Sequence, residues 1–372
     1  MSLIVTIVIF IVILAALVLV HEVGHFLVAK WSGIRVDEFG LGFPPRLASW
    51  RPRGSETTYS LNAIPFGGFV KIFGETAEAD ESAEGEETVD TSRSFIAKPA
   101  TIQIAVLLAG IVFNLVFAWL LVSLGFMIGL PVPTDYLPSA HLSNIKTTIV
   151  SVDPGSPAAK AGLESGDQIV GISTSGVSGG ITISDIQTFT ADHPGQSITI
   201  SYQRGQALNS AEVTPTFDRS INRAAIGVSL ESIGLLRLGF FSALGHGVTL
   251  TWSLISGTAI ALGQFFGQIF IGHANLSEVA GPVGIAGLVG QATALGAVYV
   301  ISFTALISIN LALINLIPFP ALDGGRILFV IIEKIKGSPI RPAVGNAINT
   351  TGFVLLILLM LFVTYHDIAK LL

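Results

Sequence analysis

Long apolar runs dominate the pattern of hydrophobic and polar positions along this chain. Residues Leu3–Val20 are almost entirely apolar, and Ala100–Leu130 carries no charge. Further charge-free runs cover Val279–Leu322 and Ala343–Tyr365. Because a helix needs about 20 consecutive apolar residues to cross a bilayer, this pattern predicts about four transmembrane helices.

A fifth charge-free run, Leu238–Ile271, has a different pattern. Polar side chains recur in it every three or four residues, at Ser242, His246, Thr249, Ser253 and Ser256. A polar stripe with this spacing is typical of an amphipathic helix, and we expect this helix to lie in or near the membrane interface.

Composition agrees with a membrane protein. Charged residues make up 12% of the chain and hydrophobic residues 51%, whereas an ordinary soluble domain carries about 25% charged residues. The net charge of −6 gives no basic surface for nucleic acid. The absence of cysteine excludes a disulfide scaffold, a thiol nucleophile and a cysteine-ligated metal.

Basic residues are distributed unevenly between the loops. Residues 30–100 hold eight and residues 323–342 hold four, whereas residues 131–297 hold six in 167 positions. The positive-inside rule therefore places the first two segments in the cytoplasm and the third outside. Within residues 75–99, Glu75–Asp90 contains eight acids in 16 positions, which predicts a flexible solvated linker, with a binding tail as the alternative.

The external section contains a segment, residues 145–230, with the hydropathy of a soluble domain. Short β-prone runs alternate there with turns rich in Gly, Pro and Asp. The stretch Asp153–Val170, DPGSPAAKAGLESGDQIV, resembles the strand, short helix and Gly-Asp turn of a PDZ domain. The resemblance implies one inserted α+β PDZ domain; an unrelated small β-rich domain is the alternative.

The first apolar run continues into His21-Glu22-Val23-Gly24-His25. Histidines four positions apart share one helix face, so both imidazoles can meet one zinc ion with Glu22 beside it. An acid inside a membrane helix is costly and marks a functional site by default. The alternative is a His/Glu cluster at a helix end that lipid headgroups solvate.

A catalytic zinc site needs a third protein ligand, and residues 26–80 contain no histidine. The best candidate is Asp323, which follows two prolines in Asn315–Gly325, NLIPFPALDGG. Non-helical backbone at membrane depth is tolerated only against protein or a wet cavity. An N-cap role for Asp323, at the start of a helix over Gly324–Ile335, is the alternative.

Together, HEVGH and NLIPFPALDGG resemble the site-two protease family of intramembrane zinc metalloproteases. The nearest branch is the bacterial one with a PDZ domain, which includes the regulator of sigma-E protease. The resemblance implies that His21, His25 and Asp323 bind Zn²⁺. It also implies that Glu22 is the catalytic acid/base and that Asn315 acts near the scissile bond.

The family resemblance also implies a membrane re-entrant β-hairpin over residues 59–72, with two short arms flanking Pro65–Gly68. Such a hairpin would pair with extended substrate as an added strand. An ordinary cytoplasmic hairpin is the alternative.

The predicted fold is a multi-pass α-helical membrane protein with about four transmembrane helices, a cytoplasmic-side re-entrant β-hairpin and one inserted extracytoplasmic PDZ domain. The predicted segments are the first helix 1–30, the cytoplasmic-side segment 31–74, the linker 75–99, the second helix 100–130, the PDZ domain 145–230, an amphipathic interfacial region 231–291, the third transmembrane segment 292–336 and the fourth helix 343–366.

The function implied is that of an intramembrane zinc metalloendopeptidase in the bacterial inner membrane. Its expected substrates are single-span proteins, anti-sigma-factor-like or signal-peptide-like, cut by regulated intramembrane proteolysis on the cytoplasmic side. The lipid bilayer is the other expected partner, together with a peptide or ectodomain contact through the PDZ domain. Another type of membrane metallopeptidase would lack the Asp323 motif, and a PDZ scaffold would have no reason to keep Glu22 in apolar surroundings. A transporter would show an inverted repeat, which this sequence lacks.

Overall fold

A computed structural model gives the structure of residues 3–75, 91–137, 142–218, 222–272 and 280–371. The chain divides into two compact units. The first comprises Met1–Ser123, Leu244–Thr293 and Tyr299–Leu372, and the second comprises Leu124–Ala243 and Ala294–Val298.

The helices in chain order are α1 Leu3–Trp31, α2 Ala100–Ile128, α3 Pro157–Lys160, α4 Ile183–Asp192, α5 Phe240–Phe270, α6 Pro282–Leu295, α7 Ala297–Leu316, α8 Asp323–Lys336 and α9 Pro342–Leu371. The strands are β1 Val36–Trp50, β2 Thr58–Ile72, β3 Leu130–Pro133, β4 Ser143–Val152, β5 Gln168–Thr174, β6 Val177–Gly179, β7 Ile198–Arg204, β8 Ala207–Val213, β9 Thr216–Asp218, β10 Arg223–Ala225 and β11 Val228–Leu236.

Five of the described helices are long and apolar enough to cross a membrane: α1, α2, α5, α7 and α9. Four of them correspond to the predicted spans, and α5 is the helix expected at the interface. It is the least apolar of the five. Two of its hydroxyls bond to its own backbone, Thr249 Oγ1 to His246 O at 2.8 Å and Ser256 Oγ to Trp252 O at 2.7 Å. The interfacial placement of α5 stays a prediction.

Helices α1 and α2 pack closely because the residue of α1 at their contact is Gly24, which has no side chain. A β-carbon on Gly24 would lie 2.5 Å from the carbonyl oxygen of Ala109. Beside this contact, an apolar cluster around Ala29, Val106 and Leu107 joins the two helices to the neighbouring sheet. This packing fixes the part of α1 that carries His21 and His25, two of the predicted zinc ligands.

The sheet of the first unit corrects the predicted hairpin. Phe39 in β1 pairs with Val70 and also with Tyr59, both in β2, and Trp50 at the end of β1 pairs with Tyr59 as well. The two arms around Pro65–Gly68 therefore pair with β1 and not with each other. The prediction of a hairpin confined to 59–72 was wrong because β1, interrupted by Gly and Pro residues, is long enough to pair with both arms.

Part of the predicted linker 75–99 is folded. Residues 76–90, most of its acidic stretch, lie outside the described residues. Beyond them, Thr91–Arg93 forms a 3₁₀ turn and Phe95 is buried. The backbone N–H of Phe95 donates to Phe73 O at 2.8 Å, so this part of the chain packs on the core and is no linker.

The second unit is built around a sheet with strand order β3-β11-β4-β5-β7-β8, and β6 pairs with β5. Its core contains Ile149, Ile172, Ile198 and Ile200, with Ile186 of α4 packed against them. The sheet exceeds the predicted boundaries 145–230, because β11 continues to Leu236 and pairs with β3. Residues 231–236 are therefore strand and not part of a helical interfacial region. The assignment of this unit as a PDZ domain stays a prediction.

The predicted third segment, 292–336, contains three helices. Helix α6 ends at Leu295, Gly296 takes a left-handed φ of 121°, and α7 follows. Residues 317–322 are non-helical, and α8 begins at Asp323. The break near the prolines was predicted, whereas the break at Gly296 was not. The last helix, α9, is longer than the predicted 343–366.

Candidate active site

The spacing of the HEVGH motif brings two imidazoles to one face of α1. His21 and His25 are both buried, and their Nε2 atoms lie 3.1 Å apart. Nδ1–H of His25 donates to the carbonyl oxygen of Val106 at 2.8 Å. Because a carbonyl can only accept, this bond leaves the Nε2 lone pair of His25 free for a metal.

Asp323 reaches the histidines because the chain turns sharply before α8. Pro318 and Pro320 end the helical hydrogen-bond pattern of α7, and Ala321 adopts a left-handed φ of 72°. Beta-carbons on Gly324 and Gly325 would overlap backbone atoms of residues 316–320. The two glycines therefore let the first turn of α8 lie against the preceding turn, which places Asp323 beside α1.

The three predicted ligands meet at one point. Asp323 Oδ2 lies 3.0 Å from His21 Nε2 and 3.4 Å from His25 Nε2. Tetrahedral zinc ligands at roughly 2.0–2.2 Å from the ion stand roughly 3.3–3.6 Å apart, so the donor set fits zinc to within a few tenths of an ångström. Among the residues that the structure describes, this is the one group of three such side chains close enough to hold a metal.

The alternative N-cap role of Asp323 does not occur. The cap position of α8 is taken by Leu322, without a side-chain cap bond, and Asp323 is the first helical residue. Its carboxylate points to the histidines instead.

The two other predicted residues lie at the same site. A cavity of about 250 Å³ is lined by His21, Glu22, Asn315 and Asp323, with Gly68 of β2 on its wall. Asn315 Nδ2 is 3.4 Å from His21 Nε2. The structure thus brings all five predicted residues together, because His25 Nε2 lies 3.1 Å from His21 Nε2.

An ion pair that sequence reasoning missed lies next to this site. Arg326, one turn after Asp323, lies 2.8 Å from Glu75, the residue that ends the described part of the sheet region. Glu75 was assigned to the flexible linker. The pair instead ties the start of α8 to the end of the segment that contains β2.

Two residues of α2 also contact the histidines and were missed. A β-carbon on Gly110 would lie 2.7 Å from Cε1 of His21 and would overlap Nε2 of His25. Asn114, which is fully buried, places Nδ2 3.2 Å from His21 Nδ1. A lone asparagine inside a charge-free span was the signal that could have identified the second of them.

The comparisons with known proteins agree with a zinc site. The model of the family described as "Peptidase family M50" matches residues 9–359. A Clostridium perfringens protein with a provisional name as a zinc metalloprotease is 36% identical over 355 residues, which cover 95% of this chain and 96% of that protein. Zinc metalloprotease RasP of Geobacillus kaustophilus is 30% identical, over 97% of both chains. Among solved structures, the PDZ domain of an SdrC-like protein from Listeria monocytogenes is 24% identical and covers 23% of this chain and 86% of that chain, with a TM-score of 0.20.

Proposed function

Because this chain belongs to peptidase family M50 and is therefore a zinc metalloendopeptidase of the membrane, we propose that it hydrolyses peptide bonds inside transmembrane segments. The observation that carries the proposal is that His21 and His25, on a helix long enough to span a bilayer, meet Asp323 at the start of α8. These residues would hold zinc through Nε2, Nε2 and Oδ2. When bound, zinc acts as a Lewis acid that makes water nucleophilic near neutral pH and polarises the scissile carbonyl.

Glu22 is the general base and acid in this proposal. It follows the ligand His21 directly and lines the same cavity. Its carboxylate takes a proton from the attacking water as the oxygen bonds to the carbonyl carbon. It then delivers that proton to the leaving amide nitrogen as the C–N bond breaks.

Asn315 is proposed to stabilise negative charge on the substrate. Its amide lies in the cavity close to His21, where its Nδ2–H can donate to the developing oxyanion of the scissile carbonyl. The amide is held on the last turn of α7, directly before the proline-containing break.

The sheet of the first unit is proposed to hold the substrate in extended form. In a transmembrane helix the backbone amides are hydrogen-bonded to one another, so the helix must be unwound locally before a peptide bond can be cut. Residues 68–71 pair with β1 on one side, and no other described strand pairs with them. Because a β-carbon on Gly68 would lie 3.1 Å from Cγ of Glu22, a strand added at this edge would end beside the site.

We further propose that the active site opens towards the cytoplasm of a bacterial inner membrane and that the second unit lies outside. The Lys/Arg counts of the loops support this orientation. With α1, α2 and α7 as spans and α5 at the interface, the end of α1 and the end of α7 lie on the same side. The 3.0 Å between Asp323 and His21 supports the interfacial placement of α5, because an added crossing by α5 would separate the end of α1 from the end of α7.

The proposed substrates are single-span membrane proteins, anti-sigma-factor-like or signal-peptide-like. One such segment can enter between helices, and the second unit would contact its peptide end or ectodomain. The broken α7–α8 connection supports a cavity at membrane depth beside the proposed zinc ligands, because non-helical backbone is tolerated there only against protein or water.

Cleavage by purified full-length protein tests the proposal. Wild-type chain, Glu22→Gln and the control Glu212→Gln, on the exposed side of β8, are incubated with a tagged single-span substrate. We expect fragments cut within the apolar segment for wild type and Glu212→Gln. For Glu22→Gln we expect no fragments but full zinc content, because proton transfer is lost and no ligand is removed. Cuts only outside the apolar segment, or full cleavage by Glu22→Gln, would contradict the proposal.

A further inference from the structure

Asn114 is the one asparagine of α2, and its surroundings distinguish it from an ordinary buried amide. Its side chain is fully buried between α1 and α7. Its backbone carbonyl accepts a bond from Ser308 Oγ of α7 at 2.8 Å, which fixes this turn of α2. Its amide Nδ2 lies 3.2 Å from Nδ1 of His21, and its buried Oδ1 has no hydrogen-bond partner within the part of the chain that the structure describes.

The two histidines at the site differ in what orients their rings. The ring of His25 is oriented by Val106 O, which accepts from Nδ1–H. Among the described residues, no backbone carbonyl has this role for His21, and the group facing its Nδ1 is the amide of Asn114.

Zinc binding through Nε2 sets a requirement at the other ring nitrogen. A neutral imidazole that offers its Nε2 lone pair carries its proton on Nδ1, so Nδ1 must donate a hydrogen bond. Metal-ligating histidines almost always donate this proton to an acceptor that fixes the tautomer. The amide NH₂ of Asn114 cannot accept, whereas its unpartnered Oδ1 can. The two ends of the amide are nearly equal in size, so a half-turn about the Cβ–Cγ bond exchanges them.

We propose that Asn114 is a positioning residue for the zinc ligand His21. With Oδ1 turned to His21, it accepts the Nδ1–H and holds the ring in the tautomer that leaves Nε2 free for zinc. The inference rests on the proposed function, because it assigns a role relative to that zinc site. It adds a residue from α2 to a site whose ligands come from α1 and α8.

Zinc affinity is the readout that tests this role. Full-length variants in detergent are titrated with zinc against a competing chelator, and the thermal unfolding of each metal-free variant is measured alongside. The variants are Asn114→Leu and Asn114→Ala, which remove the acceptor, and Asn114→Asp, which keeps an acceptor but has no NH₂. The control is Asn310→Leu, since the Asn310 amide donates to Leu306 O of its own helix at 3.1 Å.

We expect Asn114→Leu and Asn114→Ala to weaken zinc binding about 10–100-fold, the usual effect of losing such a partner. Asn114→Asp should bind zinc at least as tightly as wild type, and Asn310→Leu should bind it equally. Equal losses in the Asp and Leu variants would overturn the inference, because they would show that the NH₂ or the packing is what matters. Unchanged affinity in Asn114→Leu would overturn it as well.

His21→Ala separates this inference from the function on which it rests. If His21→Ala loses zinc while Asn114→Leu keeps it, the zinc site stands and the role of Asn114 is wrong. If His21→Ala binds zinc like wild type, the metal site itself is wrong, and the inference falls with it.

Discussion

Gly110 of α2 faces the ring of His25 so closely that a methyl group in place of its hydrogen would overlap Nε2. The same β-carbon would lie 2.7 Å from Cε1 of His21. Because Gly110 has no side chain, the backbone of α2 can pack directly against both imidazole rings.

Gly110→Ala should therefore displace the rings and weaken zinc binding by at least about tenfold, as other losses of ligand support do. Gly257→Ala is the matched control, because no other described residue comes within 4 Å of a β-carbon at that position of α5. Chelator competition on the two purified variants checks the prediction. Equal zinc affinity in both would show that the rings tolerate the extra methyl group.

Glu56 ties the loop before β2 to two other segments. Its carboxylate binds Arg93 at 2.7 and 2.8 Å and Lys30 at 2.7 Å. Arg93, and next Lys30, hold the pKa of Glu56 at about 2, below its ordinary 4.5, although partial burial acts to raise it. A pKa lowered by folding stabilises the fold above the unfolded value, and this stabilisation is lost as the pH falls from 4.5 towards 2.

Glu56→Gln should accordingly lower the Tm at pH 7, and the difference from wild type should shrink as the pH falls below 4.5. Thermal unfolding in detergent over this range measures the effect. Glu212→Gln on the exposed face of β8 serves as the control. A difference of constant size down to about pH 2 would show that shape, and not charge, explains the contribution of Glu56.

The sequence predicted the site better than its surroundings, for identifiable reasons. The spacing of His21 and His25 determines a shared helix face, and the prolines before Asp323 determine a break, so both features are local. The partner groups on α2 are not local. Because α2 is apolar on all sides, the sequence does not show which of its faces meets α1.

The sheet of the first unit shows the same limit: the sequence does not indicate which distant segments pair. The pairing of Phe39 with both Tyr59 and Val70 joins segments about 20 and 30 residues apart. The Gly and Pro residues inside β1 interrupt the alternation of apolar and polar residues by which a strand is predicted, so the sequence does not indicate this pairing. The prediction likewise divided strand β11 at residue 230, because the residues of β3 that pair with it lie 100 or more positions earlier.

The proposed role of the sheet edge predicts a difference between proline and alanine. Lys71 is exposed and pairs with Glu38, so Lys71→Ala should have little effect on cleavage. Lys71→Pro removes a backbone donor and fixes φ, and should strongly reduce cleavage of an intact transmembrane helix. Zinc content should not change in either variant. A substrate with helix-breaking Gly or Pro near its cut site should be partly spared, whereas equal loss on both substrates would assign the strand a purely structural role.

Topology can be tested with single cysteines, because the native chain has none. We expect a cysteine replacing exposed Ser210 in β8 to react with an impermeant thiol reagent added outside intact cells. A cysteine replacing exposed Ser338, between α8 and α9, should react only after the membrane is permeabilised. The reverse pattern would overturn the proposed orientation.

The zinc content of purified Asp323→Ala, measured beside wild type, tests the central claim most directly. Asp323 of α8 is the proposed third ligand beside His21 and His25 of α1, and its carboxylate lies 3.0 Å and 3.4 Å from the two imidazoles. We expect about one zinc per wild-type chain and a large loss in Asp323→Ala, because a catalytic zinc needs three protein ligands. Full zinc content together with full cleavage in Asp323→Ala would contradict the site described here.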